Sequence, residues 1–228
     1  MVNEVSASFD RVADIYDRTR GFPAFVMRRI VGALKDEFED YESLLDVGVG
    51  TGRFAGPLQK LGLEVFGIDI SRKMLQKAVD KKVENLTLAD ACNIPFKDLF
   101  FDASLSVRTL HLVKDWKSAL EEIARVTKEA LFLILRENPQ TTPSSVYKEL
   151  LRKYGYFYRR TGLREWKLKE MVKSAKSRFV TSYEISSDLS LAFLNEKAFS
   201  SQWNVPDGLH EKAMEELRKE FAAKKYTS

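Results

Sequence analysis

The chain has 228 residues, 44% of them hydrophobic and 31% charged, which suits one soluble globular domain with room for an insertion. No apolar run is long enough to span a bilayer, and the opening MVNEVSASFDRV has no apolar leader segment. The single cysteine, Cys92, excludes an internal disulfide and points to a reducing, cytoplasmic setting. Net charge is +4 but uneven: residues 140–178 hold eleven Lys/Arg against three acids, net +8, leaving −4 on the rest.

In chain order, 4–20 reads as a helix with Phe9, Val12, Ile15 and Tyr16 on one stripe. Residues 24–39 read as a second helix, with Phe25, Val26, Ile30, Leu34 and Phe38 at helical spacing. Short apolar strands follow at 43–47, 63–68, 84–89, 101–107 and 130–135, with helical patterns at 52–61, 71–81 and 115–127. Ser71 and Asp115 stand where helix N-caps belong. After the loop ENPQTTPS, 144–177 reads as helix, 178–186 as a sixth strand, and 207–225 as an amphipathic final helix. LSLAFLNE (189–196) is a poor candidate for a seventh strand. Strands alternating with helices predict an α/β fold with a doubly wound, mostly parallel sheet, whose ligands bind beyond the carboxyl ends of the strands.

Those ends carry the chemistry. The first strand gives Asp46 and the turn Gly48, Gly50, Gly52; the second ends at Asp69; the third at Asp90; the fourth runs into Arg108 and His111. The glycines alone fit a dinucleotide, a phosphate or an adenosyl cofactor, because GTGRFA also satisfies the dinucleotide pattern G-x-G-x-x-A. Asp69, 17 residues past Gly52, is placed to accept from ribose hydroxyls in either nucleotide class. Asp46 separates them: a carboxylate beside the turn repels a pyrophosphate and suits an ammonium or sulfonium. Asp90 then suits an exocyclic adenine amine, with NIPF as an apolar wall.

LLDVGVGTGRF, GIDIS, LADACNIPF and the block FFDASLSVRTLHLVKDWKSALEEIARV, in that order, make residues from about 9 to 136 resemble a class I S-adenosylmethionine-dependent methyltransferase, nearest the small-molecule and quinone C-methyltransferase group. The resemblance implies a seven-stranded, Rossmann-like methyltransferase fold. It implies one domain over 1–228, with an N-terminal helical cap of about 1–40 and a lid insertion of about 139–178. It implies S-adenosyl-L-methionine as cofactor, held by Asp46, Gly48, Val49, Gly50, Gly52, Asp69, Ile70, Asp90, Ala91 and Cys92. FDRVADIYD resembles the family's closing helix and adds Tyr16. No metal site is implied. The chain departs from the family in the turn before the fifth strand, TKEALF, and in LHL where two histidines are usual.

The implied reaction is methyl transfer to an unidentified small-molecule acceptor. His111 is the candidate base, or on the plainer reading a turn-capping residue. Arg108 either binds an acidic acceptor or pairs with a carboxylate. Cys92 reads as a small buried residue, and His210 as a surface one. The insert interleaves Tyr147, Tyr154, Tyr156, Phe157, Tyr158 and Trp166 with basic residues, which supports an amphipathic lid ahead of nucleic-acid stacking. An RNA methyltransferase, a non-catalytic S-adenosylmethionine-binding protein and a nicotinamide dehydrogenase are the competing readings.

Overall fold

The computed structural model describes residues 9–134, 141–157, 162–163, 167, 176–221 and 225–227. The chain divides into two compact units, Met1–Leu135 with Thr161–Val180, and Arg136–Arg160 with Thr181–Ser228.

In the first unit, helices α1 (Tyr16–Arg20) and α2 (Ala24–Glu37) precede an alternating series. That series is β1 (Ser43–Val47), α3 (Ala55–Lys60), β2 (Glu64–Asp69), α4 (Arg72–Asp80), β3 (Leu86–Leu88), β4 (Phe101–Val107), α5 (Trp116–Val126) and β5 (Thr127–Ile134). The strands form one sheet in the order β3-β2-β1-β4-β5, parallel throughout. After β3 the chain crosses β1 to place β4 on its other side, so β1 and β4 flank the switch point where such sheets bind ligands. β1 is covered on both faces, with Leu44, Leu45, Asp46 and Val47 all buried, as its unbroken apolar run requires. Ser71 and Asp115 cap α4 and α5 by accepting from the Met74 and Ser118 amides. α3 begins three residues later than its apolar pattern, because Gly50 and Gly52 hold left-handed φ values of 56° and 70°.

α2 buries Val26, Ile30, Val31 and Leu34 on one face, and beyond its end Phe38 meets the Phe132 ring edge-on at 4.7 Å. Gly32 sits mid-helix, and a Cβ there would meet nothing within 4 Å. Gly32→Ala is therefore expected to stabilise the chain by about 0.5–1 kcal/mol, through lower backbone freedom in the unfolded state. A urea midpoint that rises with an unchanged m-value checks this.

The second unit contains α6 (Pro143–Lys153), β6 (Glu184–Ser186), α7 (Ser187–Asn195), α8 (Asp207–Phe221) and β7 (Lys225–Thr227). Its core joins Val146, Tyr147 and Leu151 of α6 to Leu191 and Leu194 of α7 and to Ala213, Met214, Leu217 and Phe221 of α8.

Four expectations are corrected here. The sheet expected to have seven strands has five among the described residues; β6 and β7 pair antiparallel in a separate two-stranded sheet. The strand expected over 178–186 is confined to Glu184–Ser186; 189–196, a poor strand candidate in the sequence, does lie mostly in helix α7, whose N-cap Ser186 accepts from the Leu189 amide. The helix expected over 144–177 ends at Lys153, where Gly155 turns left-handed at φ 80° and the Tyr156 amide bonds back to the Leu151 carbonyl at 2.8 Å. Residues 158–161, 164–166 and 168–175 of that stretch lie outside the described residues.

His210, expected at the surface, is buried with 6% exposure, and its Nδ1 lies 2.8 Å from the Tyr147 hydroxyl. Burial, reinforced by Lys197, holds its imidazole below the usual histidine range. A depressed folded-state value means this histidine's stabilising contribution is complete above about pH 6.5 and is lost as the pH falls below it. The expected result is that the change in urea midpoint from pH 7.5 to pH 5.5 is less unfavourable in His210→Gln than in the wild type, the difference between the two chains isolating the histidine.

Candidate functional site

β1 ends at Val47 and the chain must turn at once. The Gly48 and Val49 amides both donate to the Ile68 carbonyl, at 2.8 and 2.9 Å, and the Gly52 amide closes the turn onto the Val49 carbonyl at 3.0 Å. All three glycines have positive φ, but they differ in surroundings. A Cβ on Gly48 would sit 2.1 Å from Thr109 Oγ1, and one on Gly52 would sit 2.6 Å from Val83 Cγ2. At Gly50 the nearest atom is the Gly48 carbonyl oxygen at 3.9 Å, so open space lies above the middle of the turn.

Asp69 closes this turn from the neighbouring strand. Its Oδ2 accepts from the Gly50 amide at 2.9 Å and its Oδ1 from the Ser71 amide at 2.8 Å. Burial raises its carboxyl against the opposing pull of those amides. Asp46, two residues before Gly48, is 2% exposed, and its carboxyl makes no hydrogen bond among the described residues. Burial first, and the Asp69 charge second, push it up to about 7. Two acids thus share one end of the sheet with no cationic side chain bonded to either among the described residues, an arrangement that favours a cationic ligand.

Beyond β3, Asp90 Oδ1 accepts from the Cys92 amide at 2.9 Å, and the Asp90 carbonyl from the Asn93 amide at 2.9 Å. Ile70, Ala91 and Cys92 are half-buried around it. The Cys92 thiol donates to the Asp115 carbonyl at 3.3 Å and is pushed up to about 11 by burial and by Asp90, which removes it as a nucleophile. After β4, Arg108 adopts a left-handed φ of 58°, costly for a residue with a Cβ and concentrated in proteins at functional loops. Its guanidinium has no hydrogen bond or ion pair among the described residues, and both it and His111 are half-buried.

The N-terminal segment packs on this end of the first unit. Asp10 accepts from Ser71 Oγ at 2.5 Å, Asp14 pairs with Lys77 at 2.6 Å, and Asp17 accepts from Thr51 Oγ1 at 2.6 Å and from Lys81. Tyr16 lies under Arg53, whose Cζ stands 5.1 Å from the ring centroid. Asp17, Thr51, Lys81 and Thr109 were not singled out from the sequence. Only Asp17, beside Tyr16, had a signal that could have found it.

Among the described residues, the buried aromatic side chains of the basic stretch pack into a core and not into a stacking platform. Tyr147 is fully buried, and Tyr154 and Tyr156 pack against the same core. Tyr154 donates to Glu216, and Lys212 Nζ lies 4.2 Å from its ring centroid. Phe157 is exposed, and Tyr158 and Trp166 lie outside the described residues.

A family model described as a methyltransferase domain matches residues 45–135. The chain is 35% identical over 159 residues to a demethylmenaquinone methyltransferase of Tropheryma whipplei, covering 65% of this chain and 66% of that protein. It is also 35% identical over 159 residues to the demethylmenaquinone methyltransferase of Streptomyces avermitilis, covering 65% and 68%. The first of these relatives is thus spanned over slightly less than two thirds of its length. Among solved structures, an S-adenosylmethionine-dependent methyltransferase from Thermotoga maritima superposes with a TM-score of 0.52 at 27% identity, covering 72% of this chain and 76% of that one.

Proposed function

The chain belongs to the class I S-adenosylmethionine-dependent methyltransferase family, and on that footing we propose that it transfers a methyl group from S-adenosylmethionine to a small, quinol-like acceptor. The observation that carries this reading is the pair of buried Asp46 and half-buried Asp69 beside open space over Gly50, a donor set that fits a cationic amino-acid nucleoside and disfavours a pyrophosphate.

In this reading Asp69 holds the ribose hydroxyls, Asp46 faces the methionyl ammonium and Asp90 accepts from the adenine amine. Gly48, Val49, Gly50 and Gly52 form the floor, Ile70, Ala91 and Cys92 the wall, and Tyr16 closes from the cap. Bound S-adenosylmethionine supplies a methyl group already activated by its positive sulfur. The protein's work is then alignment and exclusion of water. His111 takes the proton from an acceptor hydroxyl, and Arg108 holds the resulting oxygen anion by charge-assisted hydrogen bonds. The N-terminal cap of about 1–40 and the insertion of about 139–178 serve this one methyltransferase domain, and its setting is the cytoplasm. No helix among the described residues is long and apolar enough to cross a membrane.

Incubation with methyl-labelled S-adenosylmethionine and demethylmenaquinol tests the proposal. Label in the quinone, with a product heavier by one methyl group, is the expected result. Label in bulk tRNA would move the reading to RNA. Tight S-adenosylhomocysteine binding without transfer to the quinol, tRNA or a cell extract would leave a non-catalytic binding protein.

A further inference from the structure

We infer that Gly162 and Leu163, in the insertion, are positioning residues that fix the loop bearing Arg108 and His111. The inference rests on the proposed role of that loop at the acceptor. The loop follows β4. Thr109 Oγ1 donates to the Val107 carbonyl at 3.3 Å, and the Leu112 amide to the Thr109 carbonyl at 2.9 Å. Its Leu110 and His111 carbonyls accept instead from the insertion: Leu163 N to Leu110 O at 3.2 Å, and Gly162 N to His111 O at 3.1 Å. Two consecutive amides therefore grip two consecutive carbonyls, one belonging to the candidate base.

The grip requires glycine for reasons of space. A Cβ at 162 would lie 2.4 Å from the Leu110 oxygen, 2.6 Å from the His111 carbonyl carbon and 2.7 Å from the Val113 oxygen. All three are backbone atoms, so no side-chain rotation relieves the overlap; the loop or the insertion must move. Gly162 is not among the residues with positive φ, so its backbone conformation is open to other residues. Leu163 secures the other half. It is 5% exposed and belongs to the core cluster that contains Leu110, Ile94 and Val47. The insertion thereby sets where Arg108 and His111 stand, while Asp46 and Asp69 are held by other elements.

The chain contains two histidines, which gives a direct readout. In histidine-labelled protein, Gly162→Ala is expected to shift the His111 imidazole resonances. Those of His210, in the other compact unit, stay as in the wild type. S-adenosylhomocysteine affinity is expected to fall less than turnover, because Asp46 and Asp69 stand on β1 and β2 and not on the displaced loop. With demethylmenaquinol as acceptor, kcat is expected to fall about a hundredfold, the scale of a 1 Å misplacement, with the cofactor KM changing less. Gly32→Ala serves as the control and leaves His111 as in the wild type. If the His210 resonances also collapse, Leu163→Ala, which keeps the glycine and loosens the apolar anchor, is read in the same way. His111 resonances that overlay the wild type in a folded variant overturn the inference. Because the spectra need no turnover, a failure of the methyl-transfer proposal leaves this test intact.

Discussion

Gly48→Ala is expected to cost about 2–5 kcal/mol of stability and to abolish the thermal shift produced by S-adenosylhomocysteine. Two penalties combine. At φ 76° a residue with a Cβ is strained by about 1–2 kcal/mol. The new methyl would also stand 2.1, 2.5 and 2.8 Å from Oγ1, Cγ2 and Cβ of Thr109, and overpacking of that kind costs about 1–3 kcal/mol. Rotating Thr109 does not help, because its Cβ is itself too close. The chain must either open the glycine turn or displace the loop that leads to His111, and both damage the site. Adding Thr109→Ala should recover part of the loss, since Oγ1 and Cγ2 go while the strained φ remains. Gly50→Ala bears the strain without the overlap, so its urea midpoint should fall by far less.

Asp69→Asn is expected to weaken S-adenosylhomocysteine binding about a hundredfold, a loss that matches one or two hydrogen bonds to a charged group. Both carboxylate oxygens accept from backbone amides, those of Gly50 and Ser71. An amide side chain keeps one acceptor and turns a donor toward the other amide, so the turn loses its brace as well as its charge. Stability should change less than binding, because removing the charge also relieves repulsion with buried Asp46. Calorimetric titration of a folded Asp69→Asn chain checks this; affinity within about threefold of the wild type would remove Asp69 from the cofactor site.

The parts of the fold legible in the sequence were those written into local pattern. β1 and β4 match their expected bounds, β1 as a short, mostly apolar run ending at a glycine turn and β4 as an alternation of apolar and polar residues. Ser71 and Asp115 do in the structure what N-cap chemistry expects of them. The acids at the strand ends were legible too, since in a parallel sheet position along the chain determines which end of the sheet a residue reaches. Where the reading failed, the deciding partner was remote or a local signal was passed over. The partner of β6 is the three-residue segment Lys225–Thr227, about 40 residues away and too short to show an alternating pattern. Ser186 followed by Asp188 was a helix start that the apolar LSLAFL obscured. His210 shares the stripe of Ala213, Met214, Leu217 and Phe221, and reading that stripe to its first member would have buried it. Gly162 carries no sequence signal at all, because what it provides is room for the backbone of a loop some 50 residues earlier.

The central claim is that Asp46 and its neighbours form a site for a cationic methionyl cofactor, and calorimetric titration with S-adenosylhomocysteine at pH 6 and pH 8 tests it most directly. Burial raises the Asp46 carboxyl to about 7, so in the free protein it is largely protonated at pH 6 and ionised at pH 8. A raised folded-state value also means that the free protein loses stability as the pH rises from about 4 to 7. A ligand ammonium prefers the ionised form, so affinity should rise about tenfold between the two pH values, with proton release at the lower one. Asp46→Asn should bind weakly and equally at both, and NAD should not bind at either. Equal wild-type affinity at pH 6 and pH 8, or NAD binding in competition with S-adenosylhomocysteine, would contradict the account.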